Sequence, residues 1–364
     1  MIIDIIAGAR PNFMKIAPII NAIQSAKKSG HAISFRLIHT GQHYDQKMSG
    51  DFFEQLGIPE PNVNLGAGGG TQAEQTAAIM TGYEKQLTEN PSDLVLVVGD
   101  VTSTMACSIV AKKLKTRVAH VEAGIRSFDL DMPEEINRMV TDSITDYFFT
   151  TSDVANQNLK TAGIPDERIF FVGNTMIDTL LKQMPAFLKP DFWSDLALRD
   201  KQYMVLTLHR PSNVDSPTQL KALMDVLENF SSDIPVIFPV HPRTRNNLEK
   251  FGITPKHVKI VDPLGYLQFN YLVQHSKGVI TDSGGITEET TVMGIPCLTL
   301  RDSTERPETC TIGTNVLIGT EPSALAEKLK DLVAGNWKKG GIPPLWDGMA
   351  AERIVKNIIN LYNL

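Results

Sequence analysis

Carboxylates and histidines recur in this sequence directly after short apolar runs. Asp100 follows Val95-Leu96-Val97-Val98-Gly99, and Glu122 follows Val118-Ala119-His120-Val121. His209 follows Val205-Leu206-Thr207-Leu208, and His241 follows Ile237-Phe238-Pro239-Val240. Such runs read as buried parallel strands, which places these groups at strand ends. Side chains of these types can move protons. Each has an ordinary alternative: Asp100 as a cap for a helix beginning near Thr102, Glu122 as the partner of Arg126, the histidines as partners of backbone groups. Taken together they form a candidate acid–base cluster. Pro133-Glu134-Glu135-Ile136-Asn137-Arg138 opens a helix with two acids. Its spacing pairs Arg138 with Glu134 at i,i+4, while a functional reading makes Glu134 a further proton carrier.

A second chemistry is anion binding. Gly278-Val279-Ile280 predicts a strand and Ile286 to Met293 a helix, so Ser283-Gly284-Gly285 is a strand-to-helix turn. Its glycines let backbone N–H groups approach a ligand at a helix N-terminus, where phosphate is favoured. Glu288 and Glu289 follow on the expected first turn, and one of them could accept hydrogen bonds from ribose hydroxyls. The alternative is a tight turn with acids that suit the helix dipole. Gly8-Ala9-Arg10-Pro11-Asn12 is a similar turn, with the cation Arg10 within it and Lys15 one helical turn on. Thr304-Glu305-Arg306-Pro307-Glu308 offers Arg306 as a planar fork for diphosphate charge.

The elements that must position these groups alternate between strand and helix. Predicted strands are Ile2 to Ile6, Phe35 to His39, Leu94 to Val98, Val118 to Val121 and Tyr147 to Thr150, with helices near Phe13 to Ala26, Asp51 to Leu56, Ala73 to Leu87, Ser103 to Leu114 and Glu135 to Ile144. A second series has strands at Met204 to Leu208, Val236 to Pro239, Val258 to Val261, Gly278 to Thr281 and Cys297 to Leu300, with helices near Gln219 to Asn229, Leu267 to Gln274, Ile286 to Met293 and Ala324 to Leu332. Alternation of this kind means doubly wound parallel sheet. The expected fold is α/β, with two Rossmann-like halves facing across a cleft and ligands beyond the C-terminal strand ends. Asn64 to Thr71, with Gly66, Gly68, Gly69 and Gly70, reads as a mobile loop, and Pro185 to Asp200 as a connector. Met349 to Tyr362 reads as an amphipathic helix.

With 364 residues the chain is long enough for two ordinary domains. A net charge of −6 argues against a general nucleic-acid binder. Cys107, Cys297 and Cys310 are too few and scattered for a disulfide framework or zinc site, and Cys107 and Cys297 read as core. Metal-ligand spacings and the Gly-x-Gly-x-x-Gly fingerprint are absent, which disfavours hydride transfer, and no P-loop pattern occurs. The apolar Met1 to Ala9 reads as a strand rather than a signal peptide, and no apolar run spans a bilayer, so a cytoplasmic location without membrane partners is expected.

Gly8-Ala9-Arg10-Pro11-Asn12-Phe13-Met14-Lys15, Thr40-Gly41-Gln42-His43, Gly99-Asp100-Val101-Thr102-Ser103, His120-Val121-Glu122-Ala123-Gly124-Ile125-Arg126, Pro133 to Arg138, Val172-Gly173-Asn174, His209-Arg210-Pro211-Ser212-Asn213, Thr281 to Gly285 and Thr304 to Glu308 occur in one order along nearly the whole chain. In that set the sequence resembles the non-hydrolysing UDP-N-acetylglucosamine 2-epimerases. The resemblance implies the glycosyltransferase-B architecture, with an N-terminal domain at 1–172, a UDP-binding domain at 173–348 and a C-terminal helix at 349–364 packing back on the first. It implies a homodimer, with neither metal nor other cofactor, interconverting UDP-GlcNAc and UDP-ManNAc through UDP elimination to 2-acetamidoglucal and re-addition. Surface polysaccharide would be the destination. By motif, Asp100, Glu122, Glu134 and His209 resemble the catalytic set. Arg10, Ser283, Gly284, Gly285, Glu289 and Arg306 match UDP-binding positions, Phe269 is placed for uracil, and Lys15, Arg138 and His241 match positions near the diphosphate or sugar. Departures stand at Gln42-His43-Tyr44-Asp45 and Gly68-Gly69-Gly70-Thr71-Gln72, which puts allosteric activation by substrate in question, and at Arg210-Pro211-Ser212-Asn213. Relatives acting on UDP-2,3-diacetamido-glucuronate share these motifs, so a modified sugar is the alternative substrate. A glycosyltransferase, a non-catalytic UDP-sugar-binding regulator and a hydrolysing epimerase are the further alternatives.

Overall fold

The computed structural model describes residues 1–41, 56–232 and 234–364, with the Arg10 side chain excepted. The predicted helix at Asp51 to Leu56, apart from its last residue, and the stretch Gln42-His43-Tyr44-Asp45 lie outside the described residues. The chain divides into two compact units, Met1–Thr179 with Pro344–Leu364, and Leu180–Pro343.

The first unit contains β1 (Ile2–Ala7), α1 (Arg10–Lys28), β2 (Ser34–His39), β3 (Val63–Asn64), α2 (Gln72–Glu89), β4 (Leu94–Val98), α3 (Thr102–Lys113), β5 (Arg117–Val121), α4 (Pro133–Ile144), β6 (Tyr147–Thr150), α5 (Asp153–Thr161), β7 (Ile169–Phe171) and α6 (Thr175–Gln183), whose last turn crosses the boundary. Its sheet has the order β3-β2-β1-β4-β5-β6-β7 and is parallel throughout. Every residue of β4 is buried, as a strand covered by helices on both faces requires. In α1 the apolar face of Phe13, Ile16, Ile20 and Ile23 is buried, and Lys27 and Lys28 in the last turn suit the helix dipole. Thr71 and Glu74 form a capping box that starts α2 immediately after the glycine-rich stretch.

The second unit contains β8 (Met204–Thr207), α7 (Pro211–Val214), α8 (Pro217–Ser231), β9 (Val236–Pro239), α9 (Pro242–Lys250), β10 (Lys259–Val261), α10 (Tyr266–Gln274), β11 (Gly278–Thr281), α11 (Gly284–Met293), β12 (Cys297–Thr299), α12 (Pro307–Thr311), β13 (Asn315–Leu317) and α13 (Pro322–Val333). Its parallel sheet has the order β10-β9-β8-β11-β12-β13. The final helix, α14 (Ala350–Tyr362), belongs to the first unit. Its N-terminus is held by Asp178, which accepts hydrogen bonds from the Ala350 and Ala351 N–H groups at 3.1 and 2.7 Å. Burial pushes the Asp178 carboxyl up to about 6. Ile354, Val355 and Ile358 are buried, giving the helix its inward stripe.

Two Rossmann-like sheets in one chain are the α/β, glycosyltransferase-B class that the sequence predicts. In each sheet the strand order reverses beside the first strand, between β1 and β4 and between β8 and β11. Ligands in such sheets bind outside those strand ends. One boundary differs in a way that bears on the site. The helix α11 begins at Gly284 rather than Ile286, so both glycines lie inside its first turn. Glu288 and Glu289 are then beyond that turn, and the first-turn acids that the sequence predicts are not there. The short strands β3, β7 and β13, and the helices α5, α6, α7, α9 and α12, none longer than nine residues, lie outside the elements that the sequence predicts. No described helix is long and apolar enough to cross a membrane.

Candidate active site

In the first unit, Val98 pairs with Val121 across β4 and β5, which sets Gly99 and Asp100 beside Glu122. Glu122 has φ 71°, in the left-handed region where a residue with a Cβ is strained. Hydrogen bonds from the Glu122 and Ala123 N–H groups to the Phe149 carbonyl impose that turn. The Glu122 side chain is only 2% exposed, and Lys15 Nζ donates to its Oε2 at 2.8 Å. The predicted partner of Glu122, Arg126, is instead bound to Asp142 at 2.7 Å. Asp142 also receives the Gly124 N–H at 3.0 Å and His120 Nδ1 at 2.7 Å. Burial pushes the Asp142 carboxyl up, but the charges and hydrogen bonds of His120 and Arg126 outweigh it and hold the group below the usual range. The other His120 nitrogen, Nε2, lies 2.8 Å from the Gly99 carbonyl. His120 and Asp142 are thus a buried support under the Gly99–Asp100 turn.

Asp100 is not the cap of α3, because Val101 occupies that position without a side-chain cap bond. Its carboxylate accepts from Arg138 Nη1, and its carbonyl accepts from Asn137 Nδ2 at 2.8 Å. Arg138 is buried and bound also to Glu135 at 2.8 Å, so the predicted Arg138–Glu134 pair is replaced by Arg138–Glu135 and Arg138–Asp100. The reason is that Glu135 folds inward onto the Ser127 and Phe128 N–H groups, while Glu134 is exposed. Of the predicted first-unit residues, Lys15, Asp100, Glu122 and Arg138 form two adjacent ion pairs at the strand ends. Glu134 stands apart from those pairs on the first turn of α4, and Arg10 opens α1, its side chain lying outside what is described.

In the second unit the hub is Asp282, a fully buried residue that the sequence reading quoted but left without a role. Its carboxylate accepts from the His209 and Arg210 N–H groups at 2.9 Å each, from Asn213 Nδ2 at 3.2 Å, and from His209 Nδ1 at 2.8 Å. Burial raises the Asp282 carboxyl, but these bonds and the His209 charge hold it below the usual range. The pair fixes the His209 ring through Nδ1 and leaves Nε2 for a ligand. His209, His241, Phe269 and Ser283 line one cavity of about 210 Å³, together with the apolar Leu264 and Ile286. His241 caps α9 by accepting the Arg243 N–H at 3.3 Å. Burial, then the charges of His209 and Arg243, lower its pKa.

Ser283 makes no side-chain cap bond to α11, so the first-turn N–H groups have no cap from their own chain neighbour. A Cβ on Gly284 would lie 2.7 Å from Glu305 Oε1 and 3.5 Å from Arg301 Nη1, so any larger residue requires the Glu305 carboxylate to move. Burial pushes Glu305 up, yet the Arg301 hydrogen bond and the Arg301 and Arg306 charges bring it down to about 2. Arg306 is buried and its Nε donates to Glu288, which places it as one member of an internal ion pair rather than as an open fork. Glu288 is therefore committed to Arg306, and Glu289 to Tyr266, whose hydroxyl donates to Oε1 at 2.8 Å. Burial pushes the Glu289 carboxyl up to about 7, aided by the charge of Glu288. Glu308 is raised to about 7 for the same first reason. Among the described residues no group of three or more His, Cys, Asp or Glu is arranged to hold a metal ion.

The family model for UDP-N-acetylglucosamine 2-epimerase matches residues 25–359. A UDP-N-acetylglucosamine 2-epimerase of Methanocaldococcus jannaschii is 40% identical over 371 residues, covering 98% of each chain. A UDP-2,3-diacetamido-2,3-dideoxy-D-glucuronate 2-epimerase of Pseudomonas aeruginosa is 38% identical over 360 residues, covering 98% of this chain and 99% of that one. A crystal structure of the M. jannaschii UDP-GlcNAc 2-epimerase, in complex with UDP-GlcNAc and UDP, superposes with a TM-score of 0.88 over 99% of this chain and 100% of that one.

Proposed function

This chain belongs to the UDP-N-acetylglucosamine 2-epimerase family, and on that premise we propose that it interconverts UDP-GlcNAc and UDP-ManNAc by eliminating UDP and adding it back. The observation that carries this reading is the placement of Asp100 and Glu122 at the ends of adjacent strands, each against its own cation, Arg138 and Lys15. Carboxylates held in place in this way are groups that can accept a proton from carbon. Inversion at C2 needs removal of that proton from one face and its return on the other, which calls for more than one carrier. Asp100, Glu122, Glu134 and His209 supply the set.

The C2 hydrogen is not acidic, so loss of UDP from C1 must be assisted. Cations and backbone dipoles aimed at the diphosphate do this without reorganising. The N-terminus of α11, with Ser283, Gly284 and Gly285, suits the leaving phosphate, and Arg10 and Arg306 are the proposed cations. Arg306 would act from its ion pair with Glu288, which fixes its position. Phe269 would contact uracil and Glu289 the ribose. UDP held by these groups is the nucleophile that returns to C1, while 2-acetamidoglucal is the intermediate. The same reading includes a homodimer and a cytoplasmic location, and surface polysaccharide as the use of UDP-ManNAc.

Incubation with UDP-GlcNAc in D2O tests the proposal. Deuterium at C2 of recovered nucleotide sugar together with UDP-ManNAc is expected; the absence of both overturns it. The nearly equal identity to the P. aeruginosa relative favours a second substrate, UDP-2,3-diacetamido-glucuronate. Parallel reactions compare the two, and a larger kcat/KM for the diacetamido sugar would transfer the assignment to it.

A further inference from the structure

Helix α10 presents two contacts on one side: Phe269 lines the 210 Å³ cavity, while Tyr266, three residues before it, donates to the carboxyl group of Glu289. Helix α11 answers with the same spacing: Ile286 lines the cavity and Glu289 follows one turn later. Residues three and four apart share a helix face. The apolar end of this groove and its carboxylate end are thus built by the same pair of helices.

Glu289 is 5% exposed and no salt bridge to it is present among the described residues. A buried carboxylate without a cation depends on hydrogen-bond donors to stay ionised and oriented. The Tyr266 hydroxyl, at 2.8 Å from Oε1, is such a donor. A carboxylate has about four lone-pair sites, so this bond leaves acceptor capacity for a vicinal diol.

We propose that Tyr266 is the positioning residue of ribose recognition: its hydroxyl fixes the Glu289 carboxylate as the acceptor for the 2′- and 3′-hydroxyls of the nucleoside. The inference rests on the UDP reading above. Tyr266 itself touches neither the sugar nor the reacting atoms; it acts through Glu289.

The test is titration of wild-type protein, Tyr266→Phe and Glu289→Gln with UDP and with 2′-deoxy-UDP. Wild type is expected to prefer UDP about tenfold, the worth of a hydrogen bond to a charged acceptor. In Tyr266→Phe the UDP affinity is expected to fall about fivefold or more, while that for 2′-deoxy-UDP stays within about twofold. The double variant should bind UDP no more weakly than Glu289→Gln alone. A purely structural role would weaken both nucleotides equally, and that result overturns the inference. So does a Tyr266→Phe protein that keeps the full preference for UDP. Wild-type protein that binds neither nucleotide overturns the UDP reading, and the inference with it.

Discussion

The two units share buried ion pairs but differ in how many of their buried acids go without a cation. At the strand ends of the first, each acid is met by a cation: Glu122 by Lys15, Asp100 and Glu135 by Arg138, Asp142 by Arg126. In the second, Glu288 and Glu305 are met by Arg306 and Arg301, but Asp282 is held mostly by amide N–H groups, Glu289 by a phenol, and the buried Glu308 has no hydrogen-bond partner for either oxygen among the described residues. Cationic partners fix the position of those carboxylates. A site that relies on N–H groups, a helix N-terminus and neutral donors suits a ligand that brings its own negative charge. Under the proposed function the first unit's carboxylates serve proton transfer while the second unit binds the nucleotide and orients His209, so losses of binding and of proton transfer should be separable.

Glu122→Gln is the largest break. It keeps the shape but removes the proton acceptor, so C2 exchange in D2O should fall by about 10²–10⁴-fold. UDP affinity, measured by calorimetry, should be unchanged; a parallel loss of binding would undo the separation of the two units.

Asp282→Asn tests whether the second unit also contributes to catalysis. Without the carboxylate the His209 ring loses the partner of Nδ1, and kcat should drop about 10²-fold or more, as expected when the group that orients a histidine is lost. Steady-state kinetics should show the loss in kcat more than in KM.

Gly284→Ala should act on binding. The added Cβ would stand 2.7 Å from Glu305 Oε1, so the turn or Glu305 must move. Overpacking of this kind costs ~1–3 kcal/mol, and UDP should bind about tenfold more weakly. An unchanged affinity would mean that the α11 N-terminus does not hold the diphosphate.

Glu308→Gln leaves the reaction aside and reads stability. Burial raises the folded pKa of Glu308 from 4.5 to about 7. A raised carboxyl gives stability that is present below its unfolded pKa and lost as pH rises through the folded one. Wild type should therefore weaken between about pH 4.5 and pH 8 relative to Glu308→Gln, by of the order of 3 kcal/mol. Thermal unfolding of both proteins at pH 5 and pH 8 measures this, and equal shifts at the two values would show that Glu308 is not held neutral.

Much of this was legible before any coordinates. Continuous apolar runs marked the central strands of both sheets, and the strand-end rule located Asp100, Glu122, His209 and His241. The partners were not legible. Glu122 meets Lys15, 107 positions away, because β1 and β4 are neighbours in the sheet while β4 follows β3 in the chain. Arg138 chose Glu135 over Glu134 because one carboxylate could reach the Ser127 and Phe128 N–H groups and the other could not. His120 and Asp142 sit inside a strand and a helix, where a sequence shows only an isolated polar residue.

By itself the sequence determined the α/β class, the two Rossmann-like halves, the family motifs and the strand-to-helix junction around Ser283. These are set by local periodicity, by residue type and by backbone freedom, all of which are local properties. Only the tertiary structure decided which charges pair, that Asp282 orients His209, and that Glu288 serves Arg306 while Glu289 faces Tyr266. Those choices depend on which strands become neighbours and which side chains lose their water, and burial is a property of the whole fold.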